Sequence, residues 1–218
     1  MNPQYHFDIQ QNTPEWNAIR RGRVGGSSCS VLTTLPTKAE QAKGLVLSKG
    51  AYSLAESIAS EHLGYFDPND EGYMSKAMAA GHEYEPYAAD AYALHTFQTV
   101  TECGYISLGD YLGYSPDRLV GDDGLLEIKC PGGKEFVRVA STGIIKPSYI
   151  DQMQFGLFLS GRKWCDHVTY NQFDGTFLIH RFERDESAME RFEVATTELI
   201  RCVKTTIQLT LSNIIRDE

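Results

Sequence analysis

The sequence predicts an α/β fold in which a mixed central sheet is flanked by helices on both sides. Three observations carry this. Helical segments come first, then β-like runs, further helices, a hairpin and a long terminal helix, an order that fits a sheet covered on both faces. The run "LLEIKC", residues 125–130, reads as a buried strand although it holds a glutamate and a lysine. No repeat, low-complexity tract or linker divides the 218 residues, so residues 1–218 are expected to form a single domain around one sizeable core.

In chain order, Thr13-Pro14-Glu15-Trp16 supplies a capping hydroxyl, a proline at the first position and an acid, which predicts a helix ending near Gly22. Gly25-Gly26-Ser27 opens a second short helix. Residues 36–50 are polar, contain Pro36, Gly44 and Gly50, and read as a mobile loop. A helix over 51–63 stops at Gly64. Ser75 is placed to cap a long alanine-rich helix over 76–97. Three β-like runs follow, 99–107, 111–115 and 124–130, with the "GDDG" turn before the last. Residues 133–142 and 148–160 read as helices. Residues 164–172 and 176–183 form a hairpin around Asp174-Gly175, and a helix over 185–212 closes the chain.

Five cysteines, at 29, 103, 130, 165 and 202, are scattered and include no C-x-x-C pair, which suits reduced thiols in a cytoplasmic protein. No secretory signal opens the chain, and no apolar run is long enough to span a bilayer. The six histidines form no H-E-x-x-H or clustered Cys/His pattern, so zinc is not expected. No G-x-x-x-x-G-K-[ST] is present to drive an ATP motor. The net charge of −9 argues at first against a polyanionic partner, but its distribution weakens that argument. Residues 1–50 carry +3, 51–127 carry −12, 128–165 carry +4 and 166–218 carry −4. Two basic segments bracket a very acidic one, as a cation site inside a basic groove requires; ordinary surface charge gives the same pattern.

The stretch "YSPDRLVGDDGLLEIKCP", residues 114–131, sharpens this. On a strand, side chains alternate, so Leu125, Glu127 and Lys129 share one face and Leu126 and Ile128 the other. Burying a glutamate and a lysine is costly unless they are paired or bound to a cation. Asp117 can reach the same point as Glu127, and the Ile128 carbonyl offers another oxygen, a donor set suited to a hard cation such as Mg²⁺. Lys129 cannot ligate while protonated; it can hold an attacking water or offset charge growing on a phosphoryl oxygen. E-x-K alone reads as a Glu–Lys pair on an exposed edge strand, with Asp117 as a turn residue; Ser115-Pro116-Asp117, the turn and the apolar neighbours reverse that in favour of a site.

Pro116-Asp117 followed by Glu127-Ile128-Lys129 resembles the PD-(D/E)xK nuclease signature, and further motifs resemble the phage lambda-type exonuclease (viral recombinase) family within it. These are Trp16, Arg20 and Ser27; Gly81-His82-Glu83-Tyr84-Glu85; Ser115-Pro116-Asp117; Glu127-Ile128-Lys129-Cys130-Pro131; and Gln152-Met153-Gln154. They keep family order over residues 16–154. Arg118 is a departure, since glycine commonly follows the aspartate, and the 36–50 loop matches no family motif. The resemblance implies a restriction-endonuclease-like fold and a Mg²⁺-dependent exonuclease, with two ions and Mn²⁺ as a substitute. It would degrade one strand of duplex DNA from its 5′ end, leaving 3′ overhangs for strand annealing. It further implies a ring-shaped homotrimer around the DNA, a single-strand annealing protein as partner, and a phage or bacterial origin.

The resemblance places Glu85 at the metal site with Asp117 and Glu127, as a ligand or a water-positioning base; alone it is an ordinary helical acid. Arg20 and Ser27 singly read as a helix-end cation and a helix cap, but together they suit a terminal 5′-phosphate, which is the favoured reading. Ser115 is a phosphate contact or simply the end of a strand. Gln154 is expected to position the phosphate near the metals, with Gln152 on a different helical face. Arg21 and Arg23 read as general phosphate contacts or solvated charges, Trp16 as core and Cys130 as a buried thiol. Two other readings stay open: a related nuclease of different polarity or endonucleolytic habit, and a non-catalytic DNA-end-binding protein.

Overall fold

The computed structural model describes residues 2–67 and 76–214. Its elements are β1 (Gln4–His6), α1 (Pro14–Arg20), α2 (Ser30–Thr33), α3 (Lys38–Gln41), α4 (Lys49–His62), α5 (Lys76–Thr96), β2 (Val100–Thr101), β3 (Tyr105–Leu108), β4 (Leu112–Tyr114), β5 (Arg118–Val120), β6 (Gly124–Lys129), α6 (Gly133–Thr142), α7 (Pro147–Ser160), β7 (Trp164–Tyr170), β8 (Phe177–Glu183) and α8 (Glu186–Asn213). Thr13 caps α1 with its side chain, as its sequence predicts. The expected cap Ser75 lies outside the described residues. Among those residues, no helix is long and apolar enough to cross a membrane.

The mixed α/β class holds, but the strands divide into two sheets. The five-stranded sheet runs β2-β5-β6-β7-β8, and a three-stranded antiparallel sheet runs β1-β3-β4. The run expected as one strand over 99–107 therefore splits: β2 joins the larger sheet and β3 the smaller. The intervening Cys103-Gly104 lets the chain change sheets, because Gly104 donates its N–H to the His6 carbonyl at 3.1 Å. A Cβ on Gly104 would stand 1.8 Å from the Ile9 carbonyl oxygen, so only glycine allows the N-terminal segment to lie there. Two short strands, β1 and β5, escape the periodicity signal because each has only three residues. The expected 36–50 loop holds α3, whose capping box joins Thr37 and Glu40, and the start of α4, capped by Ser48. The second helix begins at Ser30, later than its glycines suggest.

Strands β6 and β7 are parallel, joined through α6 and α7, while the other pairs of the larger sheet are antiparallel. Leu125 packs into the larger core with Cys165, Met153, Phe155 and Leu199, between the sheet and helices α7 and α8. Leu126 and Ile128 pack the other way, against Ala88, Ala89 and Tyr92 of α5. Strand β6 is thus covered on both faces, as the unbroken run of large residues predicts. Helix α7 is apolar on several sides and correspondingly buried. Helix α5 is tied to the sheet by Asp166, whose carboxylate takes both Arg181 nitrogens at 2.8 Å and the Tyr92 hydroxyl at 2.6 Å. All of that buried charge is satisfied.

Candidate active site

Glu127 sits in the middle of β6 with no exposed surface. The alternation that sends Leu126 and Ile128 under α5 sends Glu127 toward β4, where the Tyr114 hydroxyl donates to Oε2 at 2.8 Å. Lys129, two residues on and on the same face, donates from Nζ to Oε1 at 2.5 Å. Both carboxylate oxygens are therefore held, one by a neutral donor and one by a cation. Burial, followed by Glu127, pushes the Tyr114 phenol far above its ordinary range, so it stays protonated and acts only as a donor. Burial pulls the Lys129 ammonium down, but Glu127 and Asp117 more than offset that, and its net shift is upward.

Asp117 lies between β4 and β5, just after Pro116. Its Oδ2 accepts the Ile128 N–H at 2.6 Å, which brings the Ile128 peptide against the acids. Burial first, then Glu127, with Glu85 adding, push the Asp117 carboxyl well above the usual range, although Lys129 opposes them. Glu85, on α5, completes the group from the helix side. It accepts a 2.7 Å hydrogen bond from Arg118 on Oε1, and its Oε2 is 3.9 Å from His82 Nδ1. A cavity of about 510 Å³ opens over the cluster, lined by Glu85, Asp117, Ile128, Lys129, Lys146 and Tyr149. A second, of about 490 Å³, shares Glu85 and Asp117 and reaches the N-terminal segment at Gln10 and Gln11.

The donor set fits a hard divalent cation. It is all oxygen, it runs from the buried Glu127 to Asp117 and Glu85 on the cavity wall, and its acids repel one another in a way that a bound cation relieves. Among the described residues, however, no three acidic, histidine or cysteine side chains stand close enough to enclose an ion as they are. Lys129 and Tyr114 engage Glu127, and Arg118 engages Glu85.

The N-terminal residues reach this cluster through a chain of contacts. The Arg20 guanidinium stacks on the Trp16 ring, 3.8 Å from its centroid. Trp16 Nε1 in turn donates to Ser115 Oγ at 2.9 Å and to the Gly104 carbonyl at 3.2 Å. Ser115 precedes Pro116-Asp117, so Arg20, Trp16, Ser115 and Asp117 form one continuous line. Trp16 is therefore half-buried and engaged, not a core residue. Ser27 is exposed in the turn before α2, where it is Ser28, not Ser27, that bonds Gly25. That turn seats on the Tyr114 ring, since a Cβ on Gly26 would stand 3.0 Å from it. Arg21 stacks on Phe66, and Arg23 bonds the Ile19 carbonyl, so both serve local structure. Cys130 is half-buried, and burial with Asp117 and Glu85 pushes its thiol up to about 11. All five cysteines are free.

Gln154 departs from its expected place at the phosphate. Its Nε2 donates to the Glu183 carbonyl at 2.8 Å and its Oε1 accepts the Asp185 N–H at 3.0 Å. The amide is spent on clamping α7 to the junction of β8 and α8. Gln152, on another face as expected, borders the Gly26 turn beside Tyr114. Gln154→Ala should therefore cost about 2 kcal/mol of stability, since two backbone groups lose their partners. An unchanged urea midpoint would argue against the clamp. No local pattern points to Tyr114, which belongs to the other sheet; Arg118 stands out only as a departure from glycine, and its partner Glu85 lies far away in the chain.

Comparison with known proteins fits this arrangement. Residues 15–163 match the model of the YqaJ-like viral recombinase domain. No match was found among curated proteins. The alkaline exonuclease LHK-Exo from Laribacter hongkongensis is 30% identical over 92% of this chain and 97% of its own, with a TM-score of 0.76. The same enzyme in complex with dAMP superposes at 0.75 over 91% of this chain and 96% of its own, again at 30% identity. A phage related exonuclease from Haemophilus somnus 129PT is 15% identical over 87% of this chain and 96% of its own; its TM-score of 0.60 speaks to fold alone. The family match covers the line from Trp16 to Ser115, the acids around Lys129 and helix α7 together, and the chain belongs to the YqaJ-like viral recombinase family.

Proposed function

We propose that this protein is a Mg²⁺-dependent exonuclease that degrades one strand of duplex DNA from its 5′ end and leaves 3′ single-stranded overhangs. The observation that carries the reading is that Glu85, Asp117 and Lys129 line one cavity, with the buried Glu127 held directly behind Lys129. Asp117, Glu127, Glu85 and the Ile128 carbonyl are the groups that would hold two Mg²⁺, or Mn²⁺ in their place. When bound, the ions lower the pKa of a water and offset charge on the attacking and leaving oxygens. Tyr114 holds the Glu127 carboxylate in one orientation. Lys129, kept protonated, orients the attacking water and faces charge that builds on the phosphoryl oxygens.

Arg20, Ser27 and Ser115 are assigned to the terminal 5′-phosphate. The line of contacts from Arg20 through Trp16 to Ser115 supports this, because it ends one residue before Pro116-Asp117. Anchoring that phosphate seats the next phosphodiester over the acids, an orientation effect on rate. Duplexes with 5′-phosphate ends should be digested faster than matched 5′-hydroxyl duplexes. Arg20→Ala should slow the phosphorylated substrate about tenfold and shrink that difference. Initial rates on the two substrates decide it, and equal rates with the unaltered protein would remove the anchor.

A ring-shaped homotrimer and a single-strand annealing partner complete the reading and rest on the resemblance. Sedimentation should find a trimer; a monomer at micromolar concentration with processive digestion would exclude the ring. The test of the whole reading is digestion of end-labelled duplexes with Mg²⁺ and again with EDTA. Release of the 5′ label first, abolished by EDTA, is expected. Release of the 3′ label, internal cuts, or binding without hydrolysis would each replace this reading with another.

A further inference from the structure

We propose that Arg118 sets the affinity of the site for divalent cations by competing with them for Glu85. The inference rests on the metal-dependent reading above and deepens it. Register places the side chain. Arg118 pairs with Leu126 across β5 and β6, so it leaves the sheet on the side of α5, whereas the preceding Asp117 turns toward the Ile128 peptide. There Nη1 donates to Glu85 Oε1 at 2.7 Å and also to the Asp117 carbonyl. Nη2 lies 3.4 Å from Glu102 Oε1.

The Arg118 and Glu85 side chains are only 12% and 19% exposed, so their attraction is screened far less than that of a surface pair. A planar guanidinium can span the carbonyl and both carboxylates at once, which a lysine could not. Arg118 thereby brings a second cation, beside Lys129, to a group of three carboxylates, and the attraction that group exerts on an incoming ion falls. An ion that Glu85 ligates through Oε1, alone or bidentately, takes the oxygen that Arg118 holds. Ligation by that oxygen requires the guanidinium to move. Glu102, whose side chain is 85% exposed, offers a second partner toward solvent, so the displaced guanidinium keeps a counter-charge. The contact is therefore a reversible competitor, not a permanent lock. The same geometry accounts for the spread of the acids, since Glu85 is drawn toward Arg118.

A purely structural Arg118 would affect stability and leave cation affinity alone, which gives the test. Isothermal titration of the full chain with Mg²⁺, without DNA, is run beside the Mg²⁺ dependence of hydrolysis. Arg118→Gly should bind Mg²⁺ about tenfold more tightly and lower the half-saturating Mg²⁺ for hydrolysis in proportion. Arg118→Gln, which retains length and loses charge, should behave likewise and serves if the glycine variant does not fold. Equal or weaker Mg²⁺ affinity in a folded variant overturns the proposal. Asp117→Asn separates the two levels. If it leaves Mg²⁺ binding intact, the metal site itself is wrongly placed and the competition falls with it. If it abolishes binding while Arg118 variants match the unaltered protein, only the competition fails.

Discussion

Asp117→Asn is expected to yield a folded protein whose hydrolysis of duplex ends is slower by about a thousandfold or more. The substitution is nearly isosteric, and its amide oxygen can still accept the Ile128 N–H that Asp117 takes at 2.6 Å. What it removes is a charge. That charge is unfavourable in the fold without metal: burial, Glu127 and Glu85 raise the carboxyl's pKa, so the ionised form is the one the folded state disfavours. At neutral pH the asparagine variant should therefore be at least as stable as the unaltered protein in EDTA, while losing a ligand that the reaction needs. Such opposite signs are what a site held at a cost to stability produces. Glu127→Gln should be equally inactive but less stable, because it leaves the half-buried Lys129 without its counter-charge. End-label release in saturating Mg²⁺, paired with urea unfolding, measures both. Near-normal digestion by folded Asp117→Asn would remove that residue from the chemistry.

The largest effect on stability is expected at an uncharged position, Gly104→Ala. A Cβ there would stand 1.8 Å from the Ile9 carbonyl oxygen and 2.7 Å from its carbon. Both are backbone atoms, which cannot rotate aside as a side chain can. Either the N-terminal segment lifts or the loop between β2 and β3 shifts, at a cost of about 3 kcal/mol. The damage should not stop there. The Gly104 carbonyl shares the Trp16 indole with Ser115, and Gln11 bonds the Pro116 carbonyl at 2.8 Å. A displaced segment thus loosens the two residues that precede Asp117. A lowered urea midpoint, with a loss of 5′-phosphate preference in whatever remains folded, is the expected result. A midpoint within error of the unaltered protein would mean that the close approach is not needed.

The parts of this protein that were legible in the sequence are those written in short-range pattern. The alternation along 124–130 correctly assigned Leu125 and Glu127 to one face and Leu126 and Ile128 to the other. Helix α1 was legible from Thr13 and Pro14, and the last hairpin from Asp174-Gly175. What was not legible depends on which elements meet. That 99–107 serves two sheets follows from the close contact at Gly104, not from periodicity. Gln154 reads as a site residue by motif, yet its amide meets backbone that arrives from β8 and α8. The Tyr114–Glu127 bond joins the two sheets, and no local spacing announces it. The Arg118–Glu85 pair was half-legible, since the arginine stands out where a glycine is expected, but its partner came only with the packing of α5.

The two-sided burial of β6 makes one alignment answer for both the interior and the chemistry. Slide this six-residue strand by a single position between β5 and β7, and the glutamate and the ammonium enter the hydrocarbon layer beneath α5. Ile128 or Leu126 would then face the Tyr114 hydroxyl, which would lose its acceptor. No compact arrangement hides such an error, because Glu127 and Lys129 enter an apolar layer together while Tyr114 loses its acceptor. Mis-threaded copies should therefore stay open to proteases and chaperones instead of accumulating as well-folded decoys that seize DNA ends without cutting them.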